Sequence, residues 1–272
     1  MPEIIDISLP ITPDMPVYPG TAATQIKQVR SASGSSILSE ITMTSHAGTH
    51  IDAPSHALLD DQGIDSLALE LFYGGCRVLD LTHCTVAITE DDLKQHDIQT
   101  GERVLFKTSN SLRGFDEFYD DYVYLDSQAA RYLGELGIKL VGIDALSVKQ
   151  RGAQDNTAHT ALLSQGIPII EGLNLSPVEP GEYTLSALPL AFKGIDGSPT
   201  RAVLIKYENS RDFGGSLGWG NSLRMSPGGY IDFMSASSSC SSSAKRDWSS
   251  RVGSSIFMSE SSRPVSSSRS KS

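Results

Sequence analysis

Residues 46–56 restrict the fold of this chain more than any other segment, because they hold three of its six histidines and an aspartate. The four polar side chains stand at even-numbered positions: His46, His50, Asp52 and His56. In an extended strand all four would project from one face, while Ile51 and Ala53 would face the opposite way, into a core. Imidazole and carboxylate groups gathered on one face are typical of a metal site.

A helix explains only part of this spacing. His46 and His50 would be neighbours on a helix, because residues four apart share a face, but Asp52 would point elsewhere. Gly48 and Pro54 are also unfavourable inside a helix. A straight strand would hold His46 and His50 about 13 Å apart, which is too far for both to bind one ion. Gly48 is therefore predicted to bend the chain and bring His46 back towards the site.

Short apolar, β-branched runs alternate with helix signals along the chain. This alternation predicts an α/β domain with a mixed sheet or β-barrel-like core and surrounding helices. The predicted strands cover residues 3–9, 37–44, 77–81, 103–107, 139–143, 167–170, 183–188 and 202–206, and the predicted helices cover 90–96, 127–136 and 157–165. Thr89 and Asn156 are predicted N-caps, and Gly137 is predicted to end the second helix.

The composition changes near residue 206 and divides the chain into two parts. Residues 207–272 contain 23 serines and no hydrophobic period, which predicts a low-complexity, disordered tail. Residues 1–206 contain the core-forming runs and are predicted to form one domain. Because the change is abrupt, we interpret the tail as an appended or frame-shifted extension.

Charge and hydropathy exclude several classes of protein. Residues 1–206 carry 14 basic and 27 acidic side chains, an acidic balance that argues against a nucleic-acid partner. No stretch approaches the roughly 20 apolar residues of a membrane span, and the amino terminus lacks a secretion signal, so we expect a cytoplasmic protein.

Cys76, Cys84 and Cys240 form no C-x-x-C pair, so neither a disulfide framework nor a thiolate zinc site is indicated.

A second histidine and acid complete the candidate metal site. His159 lies in the first turn of the third predicted helix, and Glu171 follows the next strand, where α/β folds commonly place ligands. Each residue alone is more typical of a solvated or ion-paired side chain. The short connection between them allows both to point into one cleft with residues 46–56. His83 and His96 are isolated in the sequence, and we interpret them as structural or solvated.

Residues 46–56 resemble the H-x-G-T-H-x-D-x-P-x-H signature of the cyclase family of metal-dependent hydrolases. Its best-known members are bacterial kynurenine formamidases, also called arylformamidases. The resemblance extends over most of residues 3–206, including 141–144, 166–173 and 189–204. It implies the family's swivelling β/β/α fold and a homodimer whose subunits complete each other's pockets.

By motif position, the resemblance also implies a ligand set for two Zn²⁺ ions per subunit, with Mn²⁺ as the alternative metal. His46, His50, Asp52 and Glu171 match the ligands of one ion. Asp52, His159 and Glu171 match those of the second ion, so that both carboxylates would bridge the pair.

Two further roles follow from the resemblance. His56 resembles the family's catalytic acid or base. Tyr18 falls where formamidases commonly carry a tryptophan against the aromatic substrate. The implied reaction is hydrolysis of N-formyl-L-kynurenine, an arylformamide, to L-kynurenine and formate in tryptophan catabolism. Because Tyr18 stands in place of that tryptophan, the identity of the substrate stays open.

Three other functions remain as alternatives. The family resemblance also covers isatin-type hydrolases, which open a cyclic amide, and lactone hydrolases. A non-catalytic metal-binding protein would keep the ligand set without the chemistry. A serine hydrolase is disfavoured, because its G-x-S-x-G match at Gly214–Gly218 lies in the serine-rich tail and no histidine follows His159.

Overall fold

The structure, a computed structural model, describes residues 1–59 and 62–207, in which strands alternate with short helices. The strands are β1 (Glu3–Asp6), β2 (Gln25–Arg30), β3 (Ile37–Thr42), β4 (His50–Asp52), β5 (Tyr73–Leu81), β6 (Ala87–Ile88), β7 (Arg103–Thr108), β8 (Tyr124–Leu125), β9 (Leu140–Ile143), β10 (Ile169–Glu171), β11 (Gly181–Ser186), β12 (Gly197–Pro199) and β13 (Val203–Lys206). The α-helices are α1 (Glu90–Lys94), α2 (Asn110–Arg113), α3 (Ser127–Leu136) and α4 (Thr157–Leu163), and 3-10 helices cover Pro54–His56, Ile64–Ser66 and Leu69–Leu71.

Nine of these strands form one mixed sheet, in the order β1-β13-β11-β5-β7-β9-β10-β4-β12, which curls into a half-barrel. The central strands β5, β7, β9 and β10 are parallel, whereas the outer strands pair antiparallel. Every residue of β9 is buried, as expected for a central parallel strand covered on both faces. The predicted α/β class with a mixed, curled sheet is therefore confirmed.

Apolar side chains pack on both faces of the sheet. Successive residues of β9 contribute to opposite clusters: Leu140 to the cluster that includes Phe72 and Leu185, and Val141 to the one that contains α3 and α4 side chains. This alternation follows from the period of two in a strand. The sheet is thus held between two cores, and the neighbouring strands β10 and β4 carry polar groups of the site.

Helix ends follow local capping chemistry. Thr89 is the N-cap of α1, as predicted, and forms a capping box with Asp92, while α3 ends at Gly137 in a left-handed conformation. Asn156 is the N-cap residue of α4, as predicted, but its side chain makes no capping hydrogen bond. Asp155 takes that role through its carboxylate, which accepts a hydrogen bond from the Thr157 amide at 3.0 Å.

Several predicted boundaries were too long. The first strand ends at Asp6 instead of Leu9, α1 ends at Lys94 instead of His96, and α4 ends at Leu163. Element ends depend on which backbone groups find partners, and sequence patterns record this poorly.

Strands β2 and β3 pair with each other in a separate two-stranded ribbon. One face of the ribbon, which we call the isoleucine face, carries Ile26, Ile37 and Ile41, and these side chains are 40%, 61% and 55% exposed. The predicted strand at 37–44 is therefore present as β3, but its apolar side points away from the two cores. Isolated two-stranded ribbons are marginal in water, so this face needs a cover.

The predicted tail falls largely outside the described residues, which end at Tyr207, as does the G-x-S-x-G match at Gly214–Gly218. Within the described residues, no helix has the length and hydropathy needed to cross a membrane.

Candidate metal centre

Strand β4 places the first polar groups of the site. It lies between β10 and β12, with His50 directly opposite Glu171. Residues opposite each other share a face of the sheet, and so do His50 and Asp52, which are two apart. Ile51 and Ala53 are completely buried on the other side, as the alternating pattern predicts.

A glycine turn brings His46 to the same spot. Gly48 has a φ of 63°, so the chain bends where the spacing requires it. As a result, the rings of His46 and His50 lie only 4.8 Å apart. Gly172, with a φ of 70°, fits against this turn, because a Cβ there would stand 2.7 Å from the Gly48 carbonyl oxygen.

The other two groups arrive from α4 and the end of β10. His159 Nε2 lies 3.2 Å from Glu171 Oε1 and 3.5 Å from Asp52 Oδ2. His50 Nε2 lies 3.4 Å from Glu171 Oε2, and His46 Nδ1 lies 2.9 Å from Asp52 Oδ1. The structure thus gathers the five residues that we call the histidine–carboxylate cluster: His46, His50, Asp52, His159 and Glu171.

The cluster has the donors that a divalent cation requires. Both oxygens of Asp52, together with His50 Nε2, are buried without a hydrogen-bond partner in the described chain. Leaving such groups unpaired costs free energy, and a cation among them would satisfy several at once. Imidazole nitrogens and carboxylate oxygens are ligands that zinc accepts. His50 Nδ1 faces the Gly48 carbonyl oxygen at 2.9 Å, which directs Nε2 towards the carboxylates.

The electrostatics of the cluster favour ionised carboxylates. Burial opposes their charge, but the close contact with His46 and the other nearby histidines hold the pKa of Asp52 well below its usual range. Burial and the charge of Asp52 also oppose ionisation of Glu171, yet the hydrogen bond with His159 and the nearby His50 lower its pKa. Burial disfavours the imidazolium of His46, but the hydrogen bond to Asp196 and the close contact with Asp52 raise its pKa to about 10. These directions describe a site that attracts positive charge.

His56 stands beside the cluster. It ends the 3-10 helix Pro54–His56, and its ring lies 4.3 Å from the ring of His46 and 5.2 Å from that of His159. Burial, followed by the nearby His46 and His159, lowers its pKa from the ordinary value despite the pull of the carboxylates. One of its ring nitrogens is also close enough to His46 and Asp52 to share an ion with them.

Asp196 is a site residue that the sequence patterns missed. Its carboxylate accepts hydrogen bonds from His46 Nε2 at 2.7 Å and from Ser45 Oγ at 2.8 Å, and it lies 3.8 Å from His56 Nδ1. It therefore holds His46 with Nδ1 towards Asp52. Asp196 lies 150 residues after His46. The only local signal was an acid directly before the Gly197–Pro199 stretch.

Tyr18 belongs to an aromatic group in which Tyr122 interacts with Glu171 of the cluster. Its ring packs edge-on against Phe118, with centroids 5.5 Å apart, and the Arg151 guanidinium lies 5.3 Å from its centroid. Phe118 in turn contacts Tyr122, and burial, Tyr18 and Glu171 raise the pKa of Tyr122. Tyr18 was expected near the site, whereas Phe118, Tyr122 and Arg151 lie in segments without a sequence signal.

The fold and site together define an α/β protein with a buried histidine–carboxylate centre suited to divalent cations. Comparison with known proteins gives the family. Residues 5–150 match the Cyclase family. A kynurenine formamidase of Salinibacter ruber is 40% identical over 204 residues, which cover 74% of this chain and 96% of that protein. One from Bacillus thuringiensis is 35% identical over 204 residues, 74% of this chain and 97% of its own. The chain belongs to the cyclase family.

Solved structures agree with this assignment. A predicted metal-dependent hydrolase from Bacillus stearothermophilus superimposes with a TM-score of 0.69 at 37% identity, covering 76% of this chain and 100% of its own. Isatin hydrolase A from Labrenzia aggregata gives a TM-score of 0.68 over 76% of this chain and 94% of its own. At 24% identity the latter similarity shows the shared fold.

The central position of Asp52 gives a direct test. Asp52→Asn removes a charge that faces three histidines, so we expect the variant to lose bound divalent metal, measured by mass spectrometry after dialysis. Asp91→Asn, at an exposed position of α1, is the matched control and should keep wild-type metal content. Retention of full metal content by Asp52→Asn would contradict the ligand role.

Proposed function

We propose that this protein is a metal-dependent amidohydrolase that converts N-formyl-L-kynurenine and water into L-kynurenine and formate. The observation that carries the proposal is the convergence of the histidine–carboxylate cluster on one buried point with His56 beside it. The kynurenine formamidases of 35–40% identity, aligned over nearly their whole length, support the choice of substrate.

We assign the cluster to two Zn²⁺ ions, with Mn²⁺ as the alternative. His46, His50, Asp52 and Glu171 would hold one ion, and Asp52, His159 and Glu171 the other. When bound, such ions polarise a carbonyl oxygen and lower the pKa of water from about 15.7 to about 7. Asp196 would fix the orientation of His46, and the backbone amide of Val148, which donates to Glu171 Oε1 at 2.6 Å, would fix that of Glu171.

His56 would move the proton that the reaction requires. Water adds to the formyl carbon, the C–N bond breaks, and an arylamine leaves poorly as an anion, so its nitrogen must be protonated as it departs. With its lowered pKa, His56 is neutral at pH 7, accepts a proton from the attacking water and passes it to the leaving nitrogen. Its position beside the cluster suits this transfer.

The aromatic group would bind the aryl ring of the substrate. Tyr18 and Phe118 offer ring edges and faces against which an aromatic substrate can pack, and Arg151 adds a positive charge for a carboxylate. We therefore assign Tyr18 to substrate binding.

The role of His56 is separable from metal binding. His56→Ala should keep the metal content of the wild type and reduce kcat by about 10² to 10⁴, because only the proton transfer is lost. Turnover of N-formyl-L-kynurenine and metal content are measured on the same preparation, with His96→Gln as a control outside the cluster. Loss of metal from His56→Ala would instead make His56 a ligand.

A cyclic amide is the alternative substrate, favoured by Tyr18 at the position where formamidases commonly carry tryptophan. We expect kcat/KM for N-formyl-L-kynurenine to exceed that for isatin and for simple lactones, measured side by side with the metal-loaded enzyme. A higher value for isatin would transfer the proposal to cyclic amide hydrolysis. Absence of turnover with every substrate, at full metal content, would favour a non-catalytic metal-binding protein.

We further propose that the protein acts in the cytoplasm as a homodimer, with residues 1–206 as the hydrolase domain. The isoleucine face supports the dimer, because three exposed isoleucines on a two-stranded ribbon lose contact with water when a second copy covers them.

The dimer can be tested by charging the isoleucine face. The double variant Ile37→Glu/Ile41→Glu should sediment as a monomer in analytical ultracentrifugation, because each glutamate would otherwise be buried without a partner. Val86→Glu, at an equally exposed apolar position, should leave the dimer intact. A dimeric double variant would contradict this interface.

A further inference from the structure

A second group of metal-binding side chains lies outside the histidine–carboxylate cluster. His83 and Cys84 follow the carboxyl end of β5, and Asp92 lies in α1. His83 Nε2 is 3.2 Å from Asp92 Oδ1 and 3.7 Å from Cys84 Sγ. One donor atom from each of the three residues lies within 4.8 Å of the other two. We call this group the His83–Cys84–Asp92 triad.

The donor spacing of the triad matches that around a tetrahedral zinc ion. With bonds of about 2.3 Å to sulfur and about 2.0 Å to nitrogen or oxygen, tetrahedral angles place sulfur and nitrogen about 3.5 Å apart, and nitrogen and oxygen about 3.3 Å apart. The observed separations are 3.7 Å and 3.2 Å. The side chains therefore need little rearrangement to bind one ion.

The backbone and the helix cap hold the triad in place. Asp92 Oδ2 accepts hydrogen bonds from the amide and hydroxyl of Thr89, which leaves Oδ1 directed at His83. The Cys84 amide donates to the Leu81 carbonyl at 3.0 Å, and the Ser109 hydroxyl donates to the Cys84 carbonyl at 3.2 Å. Such support lowers the entropic cost of gathering the ligands.

A cation can reach the triad from solvent at His83, whose side chain is 57% exposed. Cys84 is buried. Binding of a cation by the Cys84 sulfur would release the thiol proton to solvent, as thiolate ligation requires.

We propose that His83, Cys84 and Asp92 form a separate binding site for a thiophilic divalent cation such as Zn²⁺, with water in the fourth position. A bound ion joins the loop after β5 to α1, so it stabilises this end of the sheet. The site differs in chemistry from the histidine–carboxylate cluster, which offers nitrogen and oxygen donors but no sulfur.

This difference gives a spectroscopic test that is independent of enzymatic activity. Co²⁺ replaces Zn²⁺ in most sites, and only a thiolate ligand gives an intense near-ultraviolet sulfur-to-cobalt charge-transfer band. Full-length protein carrying Cys240→Ser is titrated with Co²⁺. The substitution removes the tail thiol as a source of the band. We expect one thiolate-bound Co²⁺ per chain at saturation, in addition to the Co²⁺ held by the histidine–carboxylate cluster.

Two cysteine variants in that background assign the band. Cys84→Ser should abolish it, whereas Cys76→Ser, at a buried thiol away from the triad, should keep it. His83→Gln should weaken Co²⁺ binding at this site and serves in place of Cys84→Ser if that variant fails to fold. Absence of the band at saturating Co²⁺, or its persistence in Cys84→Ser, would overturn the proposal.

Discussion

The burial of Asp52 and Glu171 beside each other is the constraint on which the rest of the site depends. Two ionised carboxylates removed from water cost several kcal/mol each unless opposite charge compensates them. Three histidines face these carboxylates, and several donor atoms remain unpaired in the described chain. A divalent cation completes the balance, and this requirement explains why the cluster contains only imidazoles and carboxylates.

The sheet makes this arrangement rigid. The antiparallel register of β4 with β10 sets His50 opposite Glu171, and the two cores on either side of the sheet fix both strands. Only His46 and His159 reach the cluster from outside the sheet, through a glycine turn and the first turn of α4. Groups held by packed strands cost little entropy to position for binding.

Particular elements show how far local patterns predicted this fold. The capping box at Thr89 and the left-handed Gly137 were predictable because both depend on neighbours within four residues. The N-cap position of α4 at Asn156 was predicted, but the side chain that accepts the Thr157 amide was not, since Asp155 and Asn156 both have the right chemistry and only the backbone angles decide between them. The strand at 37–44 was predicted, but its solvent-facing isoleucines were not, because alternation shows two faces without showing what covers them.

The sequence by itself determined the imidazole and carboxylate groups of residues 46–56, the bend at Gly48 and the shared face of His50 and Asp52, because these follow from spacing along a few residues of backbone. Only the tertiary structure decided that Asp196 supports His46, that Phe118 and Tyr122 join Tyr18, and that Asp92 meets His83 and Cys84. These contacts join segments that are distant along the chain or belong to different elements. The folding of the sheet and the packing of its loops set such distances, and no local periodicity records them.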